Sequence, residues 1–201
     1  AGQPVLEEHA FLLRKLKQSA AHVIDPALEP TVLRMQTTGG SAWSRLRNDL
    51  DANLMIPFEK DGKSETLPLS AIRGLAYDAS ADVRRRAYEA EISAYPRIEI
   101  PMAACLNGIK GEALTLMELR HYDSVLDSAL DVSRMDRETL DALLDVMRES
   151  LPMFRRYFRL KAKMLGYEGG LKFYDLFAPV GESHLHYTLD EARAMLVRVM
   201  G

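Results

Sequence analysis

The stretch from Asp136 to Gly166 constrains this chain more than any other. Leu140, Leu143, Leu144, Met147, Leu151, Phe154 and Phe158 recur at three- and four-residue spacing among charged residues, the period of one face of an α-helix. Asp136 supplies an N-cap, and Gly166 followed by Gly169 and Gly170 supplies a stop. A stripe of this length commits the chain to a fold built from helices. Pro152 falls inside the pattern and predicts a kink, because it lacks the N–H that a helix interior needs.

The same period recurs elsewhere. Residues 4–24 carry Val5, Leu6, Phe11 with Leu12 and Leu13, Leu16, Ala20 and Val23 between charged residues, with Pro4 in the first turn. Asp25-Pro26 ends that helix, and a short one follows to about Met35. Thr37-Thr38-Gly39-Gly40 is a break, with Ser41 as the expected N-cap of a helix through Trp43, Leu46 and Leu50. One β signal lies at 54–69. Leu54, Ile56 and Phe58 alternate with Met55 and Pro57, Asp61-Gly62 follows, and then come Leu67 and Leu69. Asp-Gly between two such runs predicts a hairpin, and Pro57 and Pro68 put both strands at an edge. Ser70 is the expected cap of a short helix. Ser80, with Asp82 in the first turn, starts a helix through Val83, Ala87, Ala90 and Ile92. Pro96 and Pro101 precede a further helix that ends near Tyr122. Leu171 to Phe177 reads as extended, and a last helix begins at Thr188 or Leu189. Seams are expected at 37–41 and 121–135. The fold class is mostly α, multi-helix, with one small β-hairpin.

Composition excludes several function classes. Of 201 residues, 47 % are hydrophobic and 27 % charged, which is globular rather than disordered. A net charge of -3 offers no basic field to nucleic acid or an anionic membrane. No apolar run approaches the roughly 20 residues of a membrane span. Ala1-Gly2-Gln3-Pro4 lacks the basic start and apolar core of a signal peptide. Cys105 is the single cysteine, so neither an internal disulfide nor a cysteine zinc cage is available. This fits a reducing, cytoplasmic setting. Its neighbours Ala103, Ala104 and Leu106 predict a plain buried thiol.

Four constellations carry residue types capable of chemistry. His184 and His186 alternate on a presumed extended segment and could share one ion, but a catalytic zinc takes a third protein ligand, and only Glu182 is near. A polar surface loop is the expected state. Arg155-Arg156-Tyr157-Phe158-Arg159, with Lys161 and Lys163, interleaves cations and aromatics. It reads first as the solvated C-terminal half of the long helix, with Phe154 and Phe158 continuing the buried face. Arg84-Arg85-Arg86 sits among Asp82, Glu89 and Glu91 and predicts ion pairs along the helix. Gly108-Ile109-Lys110-Gly111 matches the Gly-x-x-Gly loop of KH RNA-binding domains, but lies in a helical pattern without strands, so close helix packing is the expected reason for its glycines. No Walker loop, nucleophile elbow or Cys–His pair is present.

An ordered series of short signals resembles the oligoendopeptidase F branch of the thimet-oligopeptidase-like zinc metallopeptidases. The series is Thr38-Gly39-Gly40-Ser41-Ala42-Trp43, Leu67-Pro68-Leu69-Ser70, Asp82-Val83-Arg84 with Ala87-Tyr88, Leu106-Asn107-Gly108-Ile109-Lys110-Gly111-Glu112, Leu119-Arg120-His121-Tyr122, Leu160-Lys161-Ala162-Lys163 and Tyr174-Asp175-Leu176. The resemblance implies a helical N-terminal domain over 1–120, carrying the hairpin, and the start of a catalytic helical region over 121–201. It implies a zinc-dependent peptidase whose narrow cleft takes oligopeptides, with zinc on a His-Glu-x-x-His helix. That motif is absent here, and His9, His22, His121, His184 and His186 do not match it. No catalytic residue and no metal ligand is therefore assigned, the zinc is expected in the full-length protein only, and the chain alone is expected to be inactive. Tyr174 and Asp175 are the residues expected to face the substrate channel, with simple packing the plainer reading of Tyr174. The expected partners are an oligopeptide and the catalytic C-terminal region of the same protein. Apolar faces left exposed would favour a homo-oligomer, a dimer, or a loosely ordered segment after Gly181. The alternative function is a helical binding module that uses residues 155–163 on nucleic acid or an acidic protein partner. A free-standing zinc hydrolase at His184 and His186 ranks last.

Overall fold

The structure is a computed structural model that describes residues 4–181 and 185–200. Its elements, in order, are α1 (Pro4–Glu8), α2 (Ala10–Ala20), α3 (Glu29–Thr38), α4 (Gly40–Ala52), β1 (Met55–Lys60), β2 (Lys63–Pro68), α5 (Leu69–Gly74), α6 (Ala81–Ala94), α7 (Glu99–Leu119), α8 (Val125–Ser133), α9 (Arg137–Met164) and α10 (Leu189–Met200). The fold is mostly α with one antiparallel hairpin, as the periodicity predicts.

The hairpin organises the core. Asp61 (φ 54°) and Gly62 (φ 74°) are both left-handed, the geometry of a two-residue turn that Asp-Gly favours. That turn sets the register, with Lys60 opposite Lys63 and Ile56 opposite Leu67. Period-two alternation then sends Ile56 and Phe58 inward, beside Leu54. They meet Leu69 and Ile72 of α5, Val83, Ala87 and Ala94 of α6, and Ile98. Each large side chain removed from water here contributes about 1.5–3 kcal/mol.

Helix α4 packs along α7, and one side chain of α7 caps it. The Glu112 carboxylate accepts from the Gly40 N–H at 2.6 Å. A Cβ on Gly40 would lie 2.9 Å from Glu112 Cδ, so the glycine admits the carboxylate. This corrects the expected cap: Ser41 lies inside α4 and Gly39 is the N-cap residue. Ser70 likewise lies inside α5, whose cap position is Pro68. Ser80 does cap α6, accepting from the Val83 N–H, and Ser124 caps α8. Three expected spans change. The 4–24 helix is broken at His9 and ends at Ala20. Helix α7 stops at Leu119, before a turn in which His121 is left-handed (φ 56°). Phe173–Asp175 is a 3₁₀ turn rather than an extended segment.

The N-terminal helices are tied on by polar contacts. The His22 ring stacks on Tyr122 at 3.7 Å and 5°, and its Nδ1 is 2.9 Å from the Arg120 carbonyl. Tyr122 donates to Asp131 at 2.9 Å.

Helix α9 is continuous from Arg137 to Met164, through Pro152. Asp136 caps it, accepting from the Thr139 N–H at 2.7 Å. Only Lys161 and Ala162 of this helix are buried. Leu143, Met147, Leu151, Phe154 and Leu160 are each roughly half exposed, between 46 % and 57 %. The expectation that Phe154 and Phe158 continue a buried face is thus corrected: Phe154 is exposed and Phe158 only half-buried. Leu140 and Leu144 are half-buried, so the described residues cover only part of the apolar stripe that the sequence carries.

Candidate functional site

Among three consecutive arginines, Arg84 behaves unlike its neighbours. Arg85 pairs with Asp82 and Glu89, and Arg86 with Asp82, all one helical turn away. Arg84 has no acidic residue at that spacing and turns inward, to 3 % exposure. Its Nε and Nη2 both lie 2.8 Å from Asp175 Oδ1, and its Nη1 donates to the carbonyls of Asp78 (2.6 Å) and Ala79 (2.9 Å). Asp175 has no exposed surface. Its second oxygen, Oδ2, accepts from the Tyr167 hydroxyl. Lys161 Nζ, also buried, donates to the Leu176 carbonyl at 2.8 Å. A buried ion pair persists only when its remaining donors and acceptors are met, and no buried side-chain polar atom among the described residues lacks a partner. The hydrogen bond to Asp175 pushes the Tyr167 phenol up to about 12, with burial adding to the same direction. The buried pair joins α6 to the turn after α9, across the expected 120/121 boundary.

Tyr174 is the other half of the expected pair, and the two residues have different surroundings. Asp175 is inside, while Tyr174 is half-buried and lines a cavity of about 370 Å³. Its walls are Tyr77 and Tyr88 on one side and Phe173, Tyr174 and Phe177 on the other, over Ile72 and Ala87. Tyr88 lies 5.6 Å from Phe173 and 6.0 Å from Tyr174 between centroids, and Tyr77 lies 5.1 Å from Phe177, all within the range of favourable aromatic pairs. At the rim Arg73 pairs with Glu91 at 2.8 Å and donates to the Tyr95 hydroxyl at 2.6 Å. The expected ion pairs along the helix form for Arg85 and Arg86 and are corrected for Arg84, which has no acidic residue three or four positions away and pairs with Asp175 instead. Its connection to a residue 91 positions away has no local signal.

The other singled-out residues do not join this site. Gly108 and Gly111 sit within the unbroken helix α7 without strands beside them, which removes the KH context. Gly108 does face another helix closely, since a Cβ there would lie 2.5 Å from Trp43 Nε1, whereas Gly111 has open space. Close packing therefore accounts for the first glycine and not the second. Cys105 is buried at 1 % exposure. In the basic stretch Lys161 is drawn inside, while Arg155, Arg156 and Arg159 stay at the surface. His186 is exposed, and Glu182 and His184 lie outside the described residues. Among the described residues no three His, Cys, Asp or Glu side chains are grouped to hold a metal ion. The donor set for a zinc ion is not met by them. No helix of the described residues is long and apolar enough to cross a membrane.

Comparison with known proteins gives this arrangement a context. The chain is 27 % identical over 192 residues to Group B oligopeptidase PepB of Streptococcus agalactiae, covering 94 % of this chain and 32 % of that protein. It is 21 % identical over 196 residues to oligopeptidase PepF of Bacillus subtilis, covering 96 % and 29 %. Its fold matches the crystal structure of oligoendopeptidase-F from Enterococcus faecium with a TM-score of 0.72 at 24 % identity, over 99 % of this chain and 38 % of that one. The chain thus spans about a third of the length of the curated relatives it matches. The model of peptidase family M3 matches residues 74–196, a span that holds the buried Arg84–Asp175 pair, the aromatic rings of the cavity and the largely exposed stripe of α9. Sequence order, fold and matched span agree: the chain belongs to peptidase family M3.

Proposed function

We propose that this chain is the N-terminal portion of a zinc-dependent metalloendopeptidase that hydrolyses oligopeptides, and that it forms part of the cleft wall. Residues 1–120 are its helical N-terminal domain, and 121–201 begin the catalytic region. The observation that carries this reading is the half-exposed stripe of α9, in a chain that spans about a third of its relatives. An apolar face of that length is a surface made to be covered, and the remainder of the protein is the partner of matching chemistry. Tyr174 is the proposed channel-facing residue. Asp175, proposed with it, acts from beneath by holding the turn that carries Tyr174. The zinc, its ligands and the general base belong to the remainder, where a bound zinc would polarise the peptide carbonyl and activate water. Residues 1–201 alone are inactive, and the whole protein works in the cytoplasm.

The test is hydrolysis of a quenched fluorogenic oligopeptide by the full gene product and by residues 1–201. Cleavage by the full product, abolished by a chelator and restored by zinc, with no cleavage by 1–201, is the expected result. Chelator-insensitive cleavage, or any zinc-dependent cleavage by pure 1–201, would overturn it.

A further inference from the structure

We propose that the cavity between α6 and the 173–177 turn is a binding site for one large, uncharged side chain of a peptide, aromatic or aliphatic. This deepens the peptidase reading and rests on it for the peptide nature of the ligand. The chemistry of the lining selects the occupant. Tyr88, Phe173, Tyr174 and Phe177 supply ring faces and edges over an apolar floor of Ile72 and Ala87. Every charged group on the lining is already neutralised within the chain: Arg84 by Asp175, and Arg73 and Glu91 by each other. A charged side chain would enter without a partner and lose its hydration, which is unfavourable. An apolar one gains burial and aromatic contact.

Size and rigidity point the same way. About 370 Å³ lies at the lower end of pockets that hold small ligands, so the space suits a side chain rather than a packed helix. One wall belongs to α6, and the other is held to it by the buried Arg84–Asp175 pair and to α9 by the Lys161–Leu176 bond. The rings are therefore pre-positioned. The larger hollow beside Tyr95, about 580 Å³, carries the Arg47–Asp51 pair and also Glu99, a carboxylate that makes no ion pair among the described residues.

The test uses capped single residues, which need no hydrolysis. N-acetyl-phenylalaninamide, N-acetyl-alaninamide and N-acetyl-lysinamide are titrated into residues 1–201 while the methyl resonances of Ile72 and Ala87 are followed by NMR. The expected result is saturable shifts with the phenylalanine probe, and affinity at least about tenfold weaker for the other two, the ratio that burying one ring implies. Ala76→Trp, which fills the cavity from its rim, and Tyr88→Ala, which removes a wall, should each abolish the shifts while circular dichroism stays unchanged. Equal affinity for the three probes would overturn the proposal, as would shifts that persist in Ala76→Trp. Concentration-dependent shifts without a probe would assign the cavity to a second copy, and binding by 1–201 that is lost in the full gene product would assign it to the remainder of the protein. Either result also overturns it. Because the probes are not cleaved, site and peptidase reading fail separately: the site by probe binding, the peptidase by fluorogenic hydrolysis.

Discussion

Two glycines three residues apart in α7 make opposite predictions. Gly→Ala in a helix interior gains about 1 kcal/mol from propensity alone. At Gly111 nothing lies within 4 Å of an added Cβ, so Gly111→Ala should collect that gain and stabilise the chain by about 0.5–1 kcal/mol. At Gly108 the added Cβ would sit 2.5 Å from Trp43 Nε1 and 2.7 Å from Trp43 Cγ. Ordinary contact begins nearly an ångström further out, so the indole or the helix must shift. Overpacking of this kind costs about 1–3 kcal/mol, which exceeds the propensity gain at all but its lower limit. Gly108→Ala should therefore destabilise by up to about 2 kcal/mol net, and the two variants should differ by roughly 1–3 kcal/mol, the overpacking cost. Urea unfolding followed by circular dichroism measures the difference. Trp43 is the only tryptophan, so its emission reports the displacement directly and should move to the red in Gly108→Ala alone. If Gly108→Ala is as stable as Gly111→Ala and the emission does not move, the α4–α7 packing described here is wrong.

Three further outcomes follow from the geometry. Asp175→Ala leaves the Arg84 guanidinium buried and unpaired and should cost about 3–5 kcal/mol in urea melts, whereas a loss below about 1 kcal/mol, the range of surface pairs, would mean the pair is solvated. Tyr167, raised from 10.0 to about 12, favours folding in its protonated form; its contribution is complete below about pH 10 and is lost as pH rises toward 12, so phenolate absorbance should show one tyrosine titrating late, and Asp175→Asn should bring it back toward 10. Replacing Met147 and Phe154 with Lys should reduce self-association of residues 1–201 in light scattering, since both lie in the exposed part of the stripe; unchanged association would place the contact elsewhere.

Much of the fold was legible because its signals are local. The Asp61-Gly62 turn, the alternation at 54–58, and the caps at Ser80, Ser124 and Asp136 each follow from residues within a few positions, although Ser124 was not singled out from sequence. The misreadings share one cause, which is tertiary override. Ser41 looks like a cap, but Glu112, 72 residues from Gly40, does the capping. Leu171–Phe177 looks extended, but the buried Asp175 and its partners fold it into a turn. The periodicity of the α9 stripe marks it as amphipathic, yet periodicity carries no information on whether its cover lies within the same 201 residues. At the site, Tyr174 and Asp175 were marked by resemblance alone. Their separation into a cavity-lining ring and a buried anchor needed Arg84, and that pairing is invisible until the chain is folded.

The central claim, that this chain is one wall of a metallopeptidase, is tested most directly by reading the coding frame past the Gly201 codon. The account predicts a His-Glu-x-x-His motif downstream, followed within a few tens of residues by a further Glu on a helical pattern. A frame that closes without that motif would contradict it.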